Sequence, residues 1–186
     1  MKVNTVFLDR DGVLNEDSAD YILRVKDIKI HKDVPCTLKL LTDAGKRMII
    51  VSNQAGIGKG LLTVDEAKII FAKIIELSEV EGGKIAGHYF CPHTNEDQCN
   101  CRKPKVGMFM QAVRDHGIRL ERAVFVGDGF GDAQAAKTLN IPFYLVAQGW
   151  GPTTKQKCDD QNIPYIYVKD LREAVDRILA SEDEKI

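Results

Sequence analysis

What most constrains this chain is an alternation. Short, almost wholly apolar runs are separated by longer amphipathic stretches, and several of the runs end in residues able to do chemistry. Val3 to Leu8 reads as a buried strand that delivers Asp9, and Arg47 to Val51 as a second that opens onto Ser52, Asn53 and Gln54. Gly87 to Phe90, Ala123 to Val126, Pro142 to Val146 and Tyr165 to Val168 read as further strands. Between them apolar side chains recur at helical spacing: from Val34 to Leu41, with Asp33 as cap and Ala44-Gly45 as stop, and from a capping box at Thr63-Val-Asp-Glu66 up to Gly82. Met108 to His116, Asp132 to Leu139 and Leu171 to Leu179 read as three more helices, the first closed by Gly117. Parallel neighbours need crossovers, and strands that alternate with helices through short loops supply them. The expectation is an α/β fold, a doubly wound parallel sheet covered on both faces, forming one domain over residues 1–186. In such sheets ligands bind beyond the carboxyl ends of the strands, where strand order reverses. Chemistry is therefore to be sought at Asp9-Arg-Asp11, Ser52-Asn53, Lys103 and Asp128.

Composition narrows the partners. With 44% hydrophobic and 28% charged residues the chain can bury a real core, and 26 Lys plus Arg against 27 Asp plus Glu leave no basic field to gather nucleic acid or an anionic membrane. The longest apolar runs, such as Met48 to Val51, fall far below the roughly 20 residues that span a bilayer. The first residues meet Asp9-Arg-Asp11 without the apolar stretch of a secretory signal. A cytoplasmic monomer that meets neither nucleic acid nor membrane is expected.

Asp9 and Asp11 stand one residue apart on a turn containing Gly12, which permits close approach of backbone to ligand. At the ordinary carboxylate pKa of about 3.9, Asp9 is ionised at neutral pH and can attack phosphorus. Its neighbour Asp11 serves as an acid only where its surroundings keep a proton on it. Attack on a phosphoryl group also needs its charge neutralised. The other strand ends offer the Ser52 hydroxyl, the Asn53 amide, the Lys103 ammonium and the Asp128 carboxylate, the last suited to holding magnesium. One acidic pair alone would be an ordinary surface loop; four such strand ends together point to phosphoryl transfer.

On these residues the chain resembles the haloacid dehalogenase (HAD) superfamily of aspartate-nucleophile phosphatases, whose fold is a Rossmann-like sheet. The motifs are Asp9-Arg-Asp-Gly-Val-Leu14, the strand-terminal Ser52, Lys103, and Gly127-Asp-Gly-Phe-Gly-Asp132, and the resemblance covers nearly the whole chain. The strings Ser52-Asn-Gln-Ala-Gly-Ile-Gly-Lys-Gly60, Cys91-Pro-His93 and Cys99-Asn-Cys-Arg-Lys-Pro104 are similar to the branch that acts on heptose bisphosphates and histidinol phosphate. The resemblance implies that Asp9 forms an aspartyl-phosphate and that Asp11 protonates the leaving oxygen and then activates water. It implies further that Asp9, Asp128 and the backbone carbonyl of Asp11 bind magnesium, that Ser52 and Lys103 hold the phosphate, and that Asn53, Gln54 and Arg102 contact substrate. No large cap domain fits between the motifs, so an open site is expected, rimmed by Asp17, Asp20 and Tyr21 and by the loop from Cys91 to Cys101. By the same resemblance the expected substrate is a small sugar phosphate, heptose 1,7-bisphosphate before histidinol phosphate. A zinc-loop binding module with a vestigial acidic motif is the alternative from a different class. Val106 stands where this branch usually has proline, and Gly129 where its heptose members carry a basic residue.

A second metal signal is independent of the first. Cys91-x-His93 and Cys99-x-Cys101 are two tight pairs separated by five residues. Three thiolates and one imidazole complete a closed tetrahedral zinc site with no position left for water, hence a structural rather than a catalytic role. Five cysteines cannot all pair, and a cytoplasmic setting disfavours disulfides. Gly127-x-Gly129-x-Gly131 imitates a dinucleotide fingerprint, but Asp132 falls where the last glycine should be. Trp150, in Gly149-Trp-Gly-Pro152, suits either a turn-packing aromatic or a ring stacked on ligand.

Overall fold

A computed structural model describes residues 2–18 and 21–183. The strands are β1 (Thr5–Leu8), β2 (Arg47–Asn53), β3 (Ile85–Cys91), β4 (Ala123–Gly127), β5 (Phe143–Val146) and β6 (Ile166–Val168). All pairings are parallel, and the sheet order is β3-β2-β1-β4-β5-β6. The helices are α1 (Val34–Asp43), α2 (Ala55–Gly58), α3 (Val64–Ser78), α4 (Gly107–His116), α5 (Phe130–Leu139), α6 (Gly151–Asp160) and α7 (Leu171–Asp183).

The sheet is doubly wound because its central strands are apolar on both sides. Every residue of β1 and β4 is buried. Val6 and Leu8 pack with Leu38 and Leu41 of α1, Phe71 of α3 and Val175 and Ile178 of α7. Phe7, between them on the opposite face, packs with Phe109 of α4, Ala133 and Ala136 of α5 and Cys158 of α6. Phe109 meets Phe7 at 5.0 Å and Phe125 at 5.1 Å between ring centroids, both edge-on, a geometry worth about 0.5–1.5 kcal/mol per pair beyond area burial. Strand order reverses between β1 and β4, so the crevice beyond their carboxyl ends is bordered by Asp9 on one side and Asp128 on the other.

The capping box forms as expected, Thr63 Oγ1 accepting from the Glu66 N–H and Glu66 accepting from the Thr63 N–H. Gly117 closes α4 in the left-handed conformation. Several expectations need correction. Asp33 precedes α1 but its side chain makes no capping bond. Helix α3 stops at Ser78, short of Gly82, while α7 continues past Leu179. Helix α6 is not among the expected elements: it buries only Gly151, Thr154 and Cys158, so no apolar stripe marks it, although Pro152 in its first turn is a recognised helix-start signal.

Candidate active site

At the switch point lies a cleft of about 330 Å³. The loop after β1 brings Asp9, Arg10, Asp11, Asp17 and Tyr21 to it, the end of β2 brings Ser52, Asn53 and Gln54, and Lys103 comes from the segment before α4. Asp128, Asp132 and Trp150 close the side beyond β4. Asp20 lies outside the described residues. None of residues 91–101 lines the cleft, so the cysteine loop stands behind Lys103 rather than at the rim. Arg102 is not at the cleft either. Its guanidinium donates to Asn95 Oδ1 at 2.7 Å and to the His93 carbonyl at 3.3 Å, which turns it onto the cysteine loop instead of toward a substrate.

Lys103 organises the floor. Its ammonium is buried and finds three acceptors, Asp9 Oδ1 at 2.9 Å, Asp132 Oδ1 at 2.7 Å and the Val51 carbonyl at 2.9 Å, one for each of its protons. Burial pushes its pKa down, but Asp132 and Asp9 outweigh burial and the net displacement is upward. Its backbone is held just as firmly. Asn53 Oδ1 accepts from the Lys103 N–H at 2.9 Å and Asn53 Nδ2 donates to the Lys103 carbonyl at 3.0 Å. Asn53, expected as a substrate contact, thus clamps β2 to the lysine.

One ammonium does not balance the carboxylates around it. Asp9, Asp128 and Asp132 each offer an oxygen within 4.8 Å of the others. Burial, then repulsion from Asp132, raises Asp9 well above the ordinary carboxylate range despite the opposing pull of Lys103. The same two causes push Asp128 up to about 7, although it accepts the Trp150 N–H at 2.8 Å. Gly12 and Gly149 make room for Asp128: both have positive φ, and a Cβ on either would collide with its carboxylate. An all-oxygen donor set carrying uncompensated negative charge fits a hard divalent cation such as magnesium. Sequence reasoning places Asp132 inside a motif without giving it a role. Its position three residues into α5, where its Oδ2 accepts the Gly129 N–H at 3.0 Å, is the available signal.

Asp11 is set differently. Its carboxylate, a quarter exposed, is turned onto Arg10, Asn15 and Gln54. It is not among the clustered carboxylates, whereas the expected magnesium contact for this residue was its backbone carbonyl. Gln54 Nε2 donates to Asp11 Oδ2 at 3.1 Å and to Ser52 Oγ at 2.8 Å, linking the Ser52 hydroxyl to the second aspartate.

Behind Lys103, the sulfurs of Cys91, Cys99 and Cys101 lie 3.1 to 3.5 Å apart, with His93 Nδ1 at 3.3 Å from Cys101 and 3.6 Å from Cys91. Zinc with bonds of about 2.3 Å would space its sulfurs roughly 3.8 Å apart, so the four donors are gathered closely enough to hold an ion after a small outward shift. The loop is tied to the segment that leads into α4: the Arg102 N–H points at Cys99 Sγ at 3.4 Å and Lys105 Nζ donates to the Cys99 carbonyl at 2.6 Å.

Comparison with known proteins identifies the family. Residues 100–174 match the family described as HAD-hydrolase-like. The chain is 36% identical over 145 residues to a probable D-glycero-D-manno-heptose-1,7-bisphosphate 7-phosphatase of Thermoplasma volcanium, covering 77% of this chain and 99% of the relative. It is 36% identical over 158 residues to D-glycero-beta-D-manno-heptose-1,7-bisphosphate 7-phosphatase of Pseudomonas aeruginosa, covering 84% and 88%. The crystal structure of D,D-heptose 1,7-bisphosphate phosphatase from B. bronchiseptica, complexed with magnesium and phosphate, matches with a TM-score of 0.89 at 28% identity, over 96% of this chain and 99% of that one.

Proposed function

The chain belongs to the HAD-like hydrolases and is a phosphoric monoester hydrolase, and we propose that it removes the 7-phosphate of D-glycero-D-manno-heptose 1,7-bisphosphate through an aspartyl-phosphate. The observation that carries this reading is the largely buried Asp9 carboxylate, held by Lys103 at the strand-order reversal with an oxygen within 4.8 Å of one from Asp128 in the same cleft. The names of the relatives supply the sugar.

In the first half-reaction an oxygen of Asp9 attacks phosphorus, the bond to the sugar oxygen breaks, and that oxygen takes its electron pair together with a proton from Asp11. In the second, water attacks the phosphorus and gives its proton to Asp11, releasing phosphate and restoring Asp9. Lys103 and the Ser52 hydroxyl steady the non-bridging oxygens. Asp9, Asp128 and the Asp11 backbone carbonyl would hold magnesium, which when bound neutralises phosphoryl charge. Asp132, whose two oxygens are taken by Lys103 and the Gly129 N–H, keeps the lysine in place. Zinc on Cys91, His93, Cys99 and Cys101 would be structural. Asp17 and Tyr21 stand where the sugar would meet the rim.

Phosphate release from heptose 1,7-bisphosphate, other sugar phosphates and histidinol phosphate, with and without magnesium, tests the proposal. Magnesium-dependent turnover with the highest kcat/KM on the heptose bisphosphate is expected. A preference for histidinol phosphate would move the substrate assignment, and absence of turnover on the whole panel would remove the catalytic reading.

A further inference from the structure

The middle residue of Asp9-Arg10-Asp11 has no part in the chemistry above, yet among the described residues it is the largest fully buried side chain, 2% exposed. A guanidinium is costly to bury unless an anion meets it, and among the described residues Asp11 is the one carboxylate with which Arg10 pairs. The contact is a fork: Nε donates to Asp11 Oδ1 at 2.9 Å, and one terminal nitrogen lies 2.7 Å from Oδ1 and 2.6 Å from Oδ2. The guanidinium lies over the ring of Phe71, 4.9 Å from its centroid, and Phe71 is itself stacked on Phe90 and His88. Arg10 is therefore fixed by an aromatic wall from α3 and β3, and Asp11 is fixed by Arg10.

We infer that Arg10 is a positioning residue for proton transfer, setting the plane and reach of the Asp11 carboxyl toward the leaving oxygen. A planar fork imposes an orientation that a point charge does not. Asn15 and Gln54 hold the same carboxylate from other sides, but each through a single amide nitrogen. The inference rests on the reading of Asp11 as acid and base. The step it governs is the first half-reaction, in which the proton of Asp11 moves to the leaving oxygen as the P–O bond breaks.

Leaving-group dependence tests it, because an alkoxide needs that proton and a nitrophenolate does not. Rates of aspartyl-phosphate formation are measured in single turnover for wild type, Arg10→Met, Arg10→Lys and Asp11→Asn, with heptose 1,7-bisphosphate and with p-nitrophenyl phosphate. General acid catalysis contributes about 10²- to 10⁴-fold, and a misdirected acid forfeits part of it. Arg10→Met should slow the sugar reaction on the order of 10- to 100-fold and the aryl reaction less than about threefold, with Arg10→Lys between wild type and Met. Equal slowing on both substrates, or none on the sugar, would overturn the inference and leave Arg10 a packing residue. If Asp11→Asn itself showed no leaving-group dependence, the acid reading of Asp11 would fall, a result distinct from an Arg10 failure. Should Arg10→Met not fold, Arg10→Lys decides: it keeps the charge without the fork and must still slow the sugar reaction more than the aryl one.

Discussion

Two clusters of candidate metal ligands sit on either side of Lys103, and they are built on opposite principles. The carboxylates of Asp9, Asp128 and Asp132 are carried by strand ends and a helix start, so the fold places them whether or not a cation is present. What it cannot do is make them comfortable: burial first, and repulsion from Asp132 second, displace Asp9 and Asp128 upward. The Cys91 to Cys101 loop has the reverse problem. Between the end of β3 and Lys103 it has no regular helix or strand, its residues 93 to 101 are all partly or fully exposed, and a few side-chain hydrogen bonds such as Thr94 to Asp97 and Arg102 to Asn95 hold it. On the proposed reading, a cation at the carboxylates would relieve repulsion in a preformed site, whereas zinc in the loop would fix the site's shape.

The largest effect should come from the carboxylate side. Asp9→Asn removes the nucleophile and should lower turnover by at least about 10⁴-fold, measured as phosphate release by a homogeneous sample. Because it also removes one of three repelling charges, its melting temperature without magnesium should not fall below that of wild type. A stable variant with wild-type single-turnover phosphate release would break the covalent reading.

Asp128→Asn weakens the cation site without touching the reacting atoms. A loss on the order of 10²-fold is expected at fixed magnesium, partly recovered at higher magnesium concentration. Activity in chelator-treated buffer equal to that with magnesium would refute the site.

Cys99→Ser probes the other cluster. One zinc per chain is expected in wild type by metal analysis and less in the variant, with a fall in melting temperature of roughly 5–10 °C, as loss of about 2–3 kcal/mol would give. Turnover should fall less than about tenfold, since Lys103 keeps the Asn53 clamp and its ion pairs to Asp9 and Asp132. An unchanged melting temperature together with lost turnover would reverse the division of roles between the two clusters.

The smallest effect is a pH dependence. The folded protein holds protons on Asp9 and Asp128 more tightly than the unfolded chain does, so the stability these groups contribute is full below the unfolded carboxylate pKa and is lost as pH rises through the folded values, about 7 for Asp128. Metal-free protein should therefore melt a few degrees higher at pH 6 than at pH 8, with a smaller difference in Asp128→Asn. Magnesium, taking the place of those protons, should raise the melting temperature more at pH 8. A metal-free melting temperature that climbs between pH 6 and pH 8, identically in wild type and variant, would contradict this crowding of charge.

Much of the fold and of the site is legible in the chain alone. The alternation of strands and helices is written in apolar periodicity, and residues that end buried strands must emerge at one edge of a parallel sheet, so Asp9, Ser52 and Asp128 had to approach one another. The cysteine spacing likewise predicts its own cluster. Helix α6 is hidden because it packs through Thr154 and Cys158 rather than through an apolar stripe.

What the sequence by itself determined is which chemistry the chain can carry: two aspartates on one turn, a lysine, a distant acidic motif and a thiol set, each a local property of residue type and spacing. Only the tertiary structure decided which way the side chains turn. Arg102 lies on the cysteine loop, Asn53 holds a backbone, Asp132 shares the lysine with Asp9, Trp150 is 61% exposed at the cleft rather than packed in a turn, and Arg10 is buried against Phe71 with Asp11 in its grip. The reason is physical. A buried polar group takes whichever partners the packed elements bring within hydrogen-bond reach, and those partners, such as Asn53 and Lys103, are far apart in the chain and near only in the fold.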